Sequence, residues 1–139
     1  MTTTIAHRTS IDPASVLRAF RSSHERTLLV NDADLMWIEE LLQIMEAADW
    51  DWGDLDRHGL IAILLDGFRW TVELAPDEPE AVARALDAFM LYVGRVHHAP
   101  HAEDCSAYLR SPEAPRDIRR WLRPRTRTQP WPRDSRRVE

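Results

Sequence analysis

The chain has 139 residues, 44% of them apolar and 29% charged, which suits one buried core and the size of a single domain. A single cysteine, Cys105, excludes an internal disulfide, and no window approaches the run of about 18 apolar residues that a membrane-spanning helix needs. The net charge of −5 conceals a division: residues 1–115 carry nine arginines against 20 acidic side chains, a net of −11, whereas residues 116–139 carry nine against three, a net of +6.

The opening MTTTIAHRTSID has neither a basic n-region nor an apolar h-region, so a cytoplasmic protein with a flexible lead over residues 1–11 is expected. Asp12 followed by Pro13 is an N-cap with proline at the first helical position, and Val16, Leu17 and Phe20 share one face, predicting a helix from Pro13 to about Ser22. Arg26 to Val30 reads either as a brief strand or as the buried approach to the next helix. Asn31 caps that helix, with Asp32 and Asp34 in its first turn. Leu35, Ile38, Leu41, Leu42 and Met45 form its inward stripe, Glu39, Glu40, Gln43 and Glu46 lie off it, and the helix should stop near Ala48. A turn, Asp49-Trp50-Asp51-Trp52-Gly53, follows.

The stretch from Leu60 to Leu74 has two readings. Asp66 and Gly67 can form the centre of a hairpin, since Phe68, Trp70, Val72 and Leu74 alternate with polar residues. Alternatively, Asp54 caps a buried helix from Leu55 to Asp66, Gly67 takes the left-handed position beyond its end, and Trp70 to Leu74 is an extended connection. The run Leu60 to Leu65 lacks alternation and the chain has few other strand candidates, which favours the helix. Next, Asp77 and Glu80 have capping-box spacing, Pro79 sits in the first turn, and Val82, Ala85, Leu86, Phe89, Val93 and Val96 trace one face of a long helix that Gly94 should terminate. A short helix over Ala102 to Arg110 places Cys105, Tyr108 and Leu109 inward, and Pro115 opens a last one in which Ile118, Trp121 and Leu122 dock on the body. Beyond Leu122, RPRTRTQPWPRDSRRVE has three prolines and no apolar periodicity.

Over residues 63–94, the Leu64-Leu65-Asp66 ending, Val72 and the later Leu86, Phe89 and Tyr92 resemble a segment of uncharacterised helical proteins common in actinobacteria. The resemblance covers roughly a quarter of the chain and rests on apolar positions at helical spacing. Gly67 and Arg69 depart from it. It implies an all-helical fold and carries no activity with it.

Among chemistry-bearing residues, His97, His101 and Cys105 are spaced by four, and on one helix they would align three zinc-type ligands. Pro100 breaks that helix and no second ligand pair exists, so a solvated histidine-rich linker is expected in place of a metal site. Asp49, Asp51, Asp54 and Asp56 read as caps, and Glu39 and Glu40 as solvated. Trp50 and Trp52, beside acids, have the look of interface anchors or of half-buried turn residues. Arg119, Arg120, Arg123, Arg125 and Arg127, with Trp131, suit phosphate neutralisation and base stacking, or an acidic protein surface. No phosphate loop, GxSxG, HExxH or Walker sequence is present.

The expectation is therefore an all-α, compact bundle of about five helices over residues 12–122, with a basic extended tail over 123–139, the hairpin at 60–74 being the α+β alternative. Function is expected to be non-catalytic and cofactor-free: a protein partner bound by an adaptor, accessory subunit or inhibitor, or alternatively nucleic acid bound through the tail, with no membrane role.

Overall fold

A computed structural model describes residues 11–68, 73–74 and 78–124, the side chains of 73, 74, 123 and 124 excepted. Among the described residues there are six α-helices: α1 (Pro13–Arg21), α2 (Leu35–Ala47), α3 (Arg57–Ala62), α4 (Glu78–Val96), α5 (Ala102–Arg110) and α6 (Glu113–Trp121). Short 3-10 turns at His24–Leu28, Asp32–Asp34 and Trp52–Asp54 join the first three. The fold is all-α, as the apolar periodicity predicts.

The organising element is α4. Val82, Ala83, Ala85, Leu86, Ala88, Phe89, Met90, Tyr92 and Val93 are all buried, so apolar residues fall on nearly every side of it, the pattern of a central helix. It packs most extensively on α5 and also touches α2, α6 and the first two 3-10 turns. Phe20 of α1 meets Phe89 and Tyr92 edge-on at 5.6 and 5.4 Å, which joins α1 to the centre through an aromatic cluster. Gly94 does not end α4. A Cβ there would come within 3.0 Å of the Ala102 Cβ, so the missing side chain lets α5 approach, and the helix runs on to Val96, itself partly exposed.

The predicted stripe of α2 is buried in full, and Trp37 with it. Its end lies where expected, without a glycine: Asp49 adopts φ 58°, its amide donates to the Glu46 carbonyl, and the Trp50 amide donates to Met45. The RTLLV ambiguity resolves as a 3-10 turn that buries Leu29 and leaves Leu28 in water.

Two expectations for residues 54–68 need correction. Asp54 does not cap the third helix; Asp56 does, its Oδ1 accepting from the Gly59 amide at 2.7 Å. Gly67 does not close that helix in the left-handed region either, and no hairpin turn forms at Asp66 and Gly67. After Ala62 the helix widens into a π-helix over Ile63–Phe68, and no glycine among the described residues has positive φ. With bonds spanning five residues, the wider turn brings Ile63, Leu64 and Phe68 inward together. Glu73–Leu74 then pairs in parallel with Arg123–Pro124, so this extended stretch meets the start of the basic segment and not the chain preceding it. The proposed cap at Asp77, the connection at Trp70 and the tail beyond Pro124 lie outside the described residues.

The first 3-10 turn is fastened to α4 by one ion pair. Arg95 donates from Nε and Nη2 to the two carboxylate oxygens of Glu25, both at 2.7 Å, and Glu25 is buried. The Arg95 hydrogen bonds hold the Glu25 carboxyl down at about 2, against 4.5 ordinarily, and outweigh the opposing effect of burial. Because the folded value is the lower one, this stability is present above pH 4.5 and is lost as the pH falls towards 2. With the guanidinium half exposed, solvent screening reduces the contribution to roughly 1–2 kcal/mol. Replacing Glu25 by Gln should lower unfolding free energy by about that amount at pH 7 and by much less at pH 2, as urea titrations at the two pH values would measure.

Candidate functional site

Four surfaces carry the side chains able to do chemistry or recognition. The first is the turn after α2. Asp51 accepts from the Gly53 amide at 2.9 Å while Asp54 accepts from the Asp51 amide at 2.9 Å, a reciprocal capping box that fixes Trp52 between them. Trp52 is half-buried, tilted against Phe89 at 6.1 Å and stacked on His97 at 4.9 Å. Trp50, also half-buried, leans on Gly59, where an added Cβ would stand 3.1 Å from its ring. Both indoles thus have intramolecular neighbours and keep part of their surface in water. Asp51, Asp54 and Asp56 serve as caps and Asp49 as the helix stop, so these carboxylates are spread along the backbone and do not form an acid and base pair around one pocket.

The second surface is the histidine and cysteine segment, whose three candidate ligands do not converge. His97 faces Trp52 and meets Tyr92 edge-on at 5.8 Å, His101 is exposed ahead of α5, and Cys105 is fully buried, its thiol donating to the Leu55 carbonyl at 3.6 Å. No group of three His, Cys, Asp or Glu among the described residues is placed to hold a metal. The expected solvated linker is also wrong for His97: its Nε2 is buried without a hydrogen-bond partner, and burial, followed by the charge of His98, lowers its pKa. Burial, then Asp104 and Asp56, pushes the Cys105 thiol up to about 12, so it is a small core residue and not a nucleophile. Nearby, Arg57 bridges to Asp104 at 3.1 Å and lies over the Tyr108 ring at 5.7 Å, while Tyr108 donates to Asp117 at 2.8 Å.

The third is the outer face of α6. Ala114, Ile118 and the following Leu122 are buried, and Arg116, Arg119 and Arg120 point the other way, exposed. Arg119 reaches Glu80 of α4 at 3.3 Å; Arg116 and Arg120 have no ion pair among the described residues. Trp121 packs partly against the core. Arg123 enters the parallel pair through its backbone, and Arg125, Arg127 and Trp131 lie outside the described residues.

The fourth was not foreseen. Leu28, Val30 and Met36, at 46, 69 and 52% exposure, are large apolar side chains left in water within nine residues of chain. Val96 is a further exposed apolar residue, next in sequence to Arg95, which pairs with Glu25 of the His24–Leu28 turn. Met36 was legible as off the α2 stripe; Leu28 and Val30 were hidden by the uncertain geometry of RTLLV. Along the same outer side of α2 as Met36, Glu39, Gln43 and Glu46 with Asp12 and Leu17 line a shallow groove of about 430 Å³.

The close approach at Gly59 gives a local test of the turn. A Cβ there would meet the Asp54 carbonyl oxygen at 2.7 Å, and backbone cannot yield as a side chain can. Gly59→Ala should destabilise by about 1–3 kcal/mol in thermal unfolding, although alanine is the better helix former by roughly 1 kcal/mol.

Comparison of the chain with protein-family models, with curated proteins and with solved structures finds no match.

Proposed function

We propose that this chain is a non-catalytic helical protein that works by binding another protein, as an adaptor, an accessory subunit or an inhibitor. The observation that carries the reading is the exposure of Leu28, Val30 and Met36 on one short stretch, whereas the other large apolar groups among the described residues, Val96 excepted, are at least partly packed. Apolar area left in water costs about 25 cal/mol per Å², so covering three such side chains is a ready source of affinity. Trp50 and Trp52, rigid and half-exposed, supply the aromatic anchors that such interfaces favour. No helix among the described residues is long and apolar enough to cross a membrane, and the buried single thiol needs no oxidising compartment, which supports work in the cytoplasm. The test is crosslinking in native cell extract with the wild-type chain and with a Val30→Asp/Met36→Asp variant of unchanged circular dichroism. The wild type should yield a specific partner that the variant loses at least tenfold. Recovery of the wild type alone and monomeric defeats the reading.

A second reading, a nucleic-acid-associated protein, is favoured by Arg116 and Arg120, two exposed guanidinium groups without an ion pair among the described residues, leading into Arg123, Arg125, Arg127 and Trp131. An electrophoretic shift at low salt should then weaken steeply as salt rises. Replacing Arg116 and Arg120 by Ala should reduce the logarithmic salt slope by about 2 on duplex DNA, and the absence of any shift at low salt removes this reading.

A further inference from the structure

A histidine at the end of a helix ordinarily faces water, where a second proton is readily solvated. His97 is placed differently. Its ring lies against Trp52 at 4.9 Å with 28° between the planes, Tyr92 stands edge-on at 5.8 Å, and Nε2 is buried with no hydrogen-bond partner among the described residues. The contact joins two elements: the end of α4, where His98 takes φ 55° and the Ala99 amide returns to the Val93 carbonyl, and the turn that the Asp51–Asp54 capping box holds in shape.

On α4, Tyr92 presents its ring and Arg95 is held by Glu25 of the first 3-10 turn, while exposed His98 adds a like charge when protonated. On the turn, Asp51 and Asp54 accept from Gly53 and Asp51 amides. His101, just ahead of α5, and Glu103 on it are exposed, and Asp104 of α5 pairs with Arg57. Protonating His97 would make both ring nitrogens donors, leaving the buried Nε2–H without an acceptor and placing a partly desolvated charge against aromatic rings. Attraction of the cation to the indole face offsets only part of that loss.

We propose that His97 is a protonation latch: the neutral imidazole holds the Trp52 turn closed on the end of α4, and uptake of a second proton in mildly acidic solution releases the turn and uncovers the indole face. Burial lowers the closed-state pKa from 6.5, whereas in the open state the ring titrates as a solvated imidazole. The closed form is therefore favoured fully above pH 6.5, and the closed-to-open ratio falls by up to tenfold for each pH unit below it until the closed state itself titrates.

The experiment is amide hydrogen exchange of Gly53, Asp54 and Leu55 in the full chain from pH 7.5 to 5, corrected for intrinsic rates, with the Trp52 indole resonance followed in parallel. In the wild type, protection of these three amides should fall at least threefold over that interval and the indole signal should move with it. His97→Phe, which keeps an aromatic ring but cannot titrate, should hold both flat, and His98→Gln should leave the wild-type fall intact. Unchanged wild-type protection across the interval overturns the proposal, as does the same fall in His97→Phe. Should His97→Phe fold poorly, the wild-type His97 ring resonance decides: titration at the ordinary imidazole value, with Trp52 unmoved, is the overturning result.

Discussion

A helix buried on nearly every side is the constraint from which the rest of this fold follows. Along α4 the residues from Val82 to Val93 leave almost no face for water, so the chain must wrap it with other elements: α1 through Phe20, α2, α5 through the gap at Gly94, and α6. Short helices and 3-10 turns can do this because each can be set at its own angle to a single cylinder. The two-residue strands fit the same logic. They are one backbone clasp between the stretch before α4 and the stretch after α6, and not a layer.

The polar contacts that join elements divide by their exposure. Arg119–Glu80 and Arg57–Asp104 lie largely in water and orient more than they stabilise. Asp87 binds Ser106 and Arg110 together, which registers α5 on α4 from a partly sheltered carboxylate. Glu25–Arg95 differs from these in that Glu25 is buried and takes both its bonds from one guanidinium fork, and it adds to the packing of Leu29 and the first 3-10 turn on the core. The stretch it secures carries Leu28 and Val30. A surface that offers apolar groups to a partner cannot also bury them for its own stability, so a charged fastener in their place is physically consistent.

What could be read from the sequence was whatever depends on period. The stripe of α2, the inward Cys105, Tyr108 and Leu109 of α5, and the docking face of α6 are periodic and lie where the spacing puts them. Readings that depended on which of several equivalent residues ends an element failed. Asp54 and Asp56 are both plausible caps two residues apart; the capping box on Asp51 claims the first and leaves the second for α3. Gly67 and Gly94 both resemble helix stops, yet neither is in the left-handed region. Their lack of a side chain serves close packing instead, against Ile44 and Ala102. A glycine marks either a special dihedral or a close neighbour, and the neighbour is not written in the local sequence. The π-helix was illegible for a related reason, since the burial of Ile63, Leu64 and Phe68 on a widened turn is a demand of the surrounding helices.

The candidate surfaces show the same limit at the level of function. Residue type pointed to the two tryptophans and the histidine segment, and both regions prove to be in contact with each other, a relation that spacing along the chain does not contain because Trp52 and His97 are 45 positions apart. That contact changes what each residue is. Trp52 by itself is a generic interface aromatic and His97 a generic solvated imidazole. Stacked, with Nε2 enclosed, they couple the exposure of an indole to the protonation of a ring. α4 makes this pairing by bringing the turn after α2 against the residues at its own end, a relation between elements that no local motif encodes.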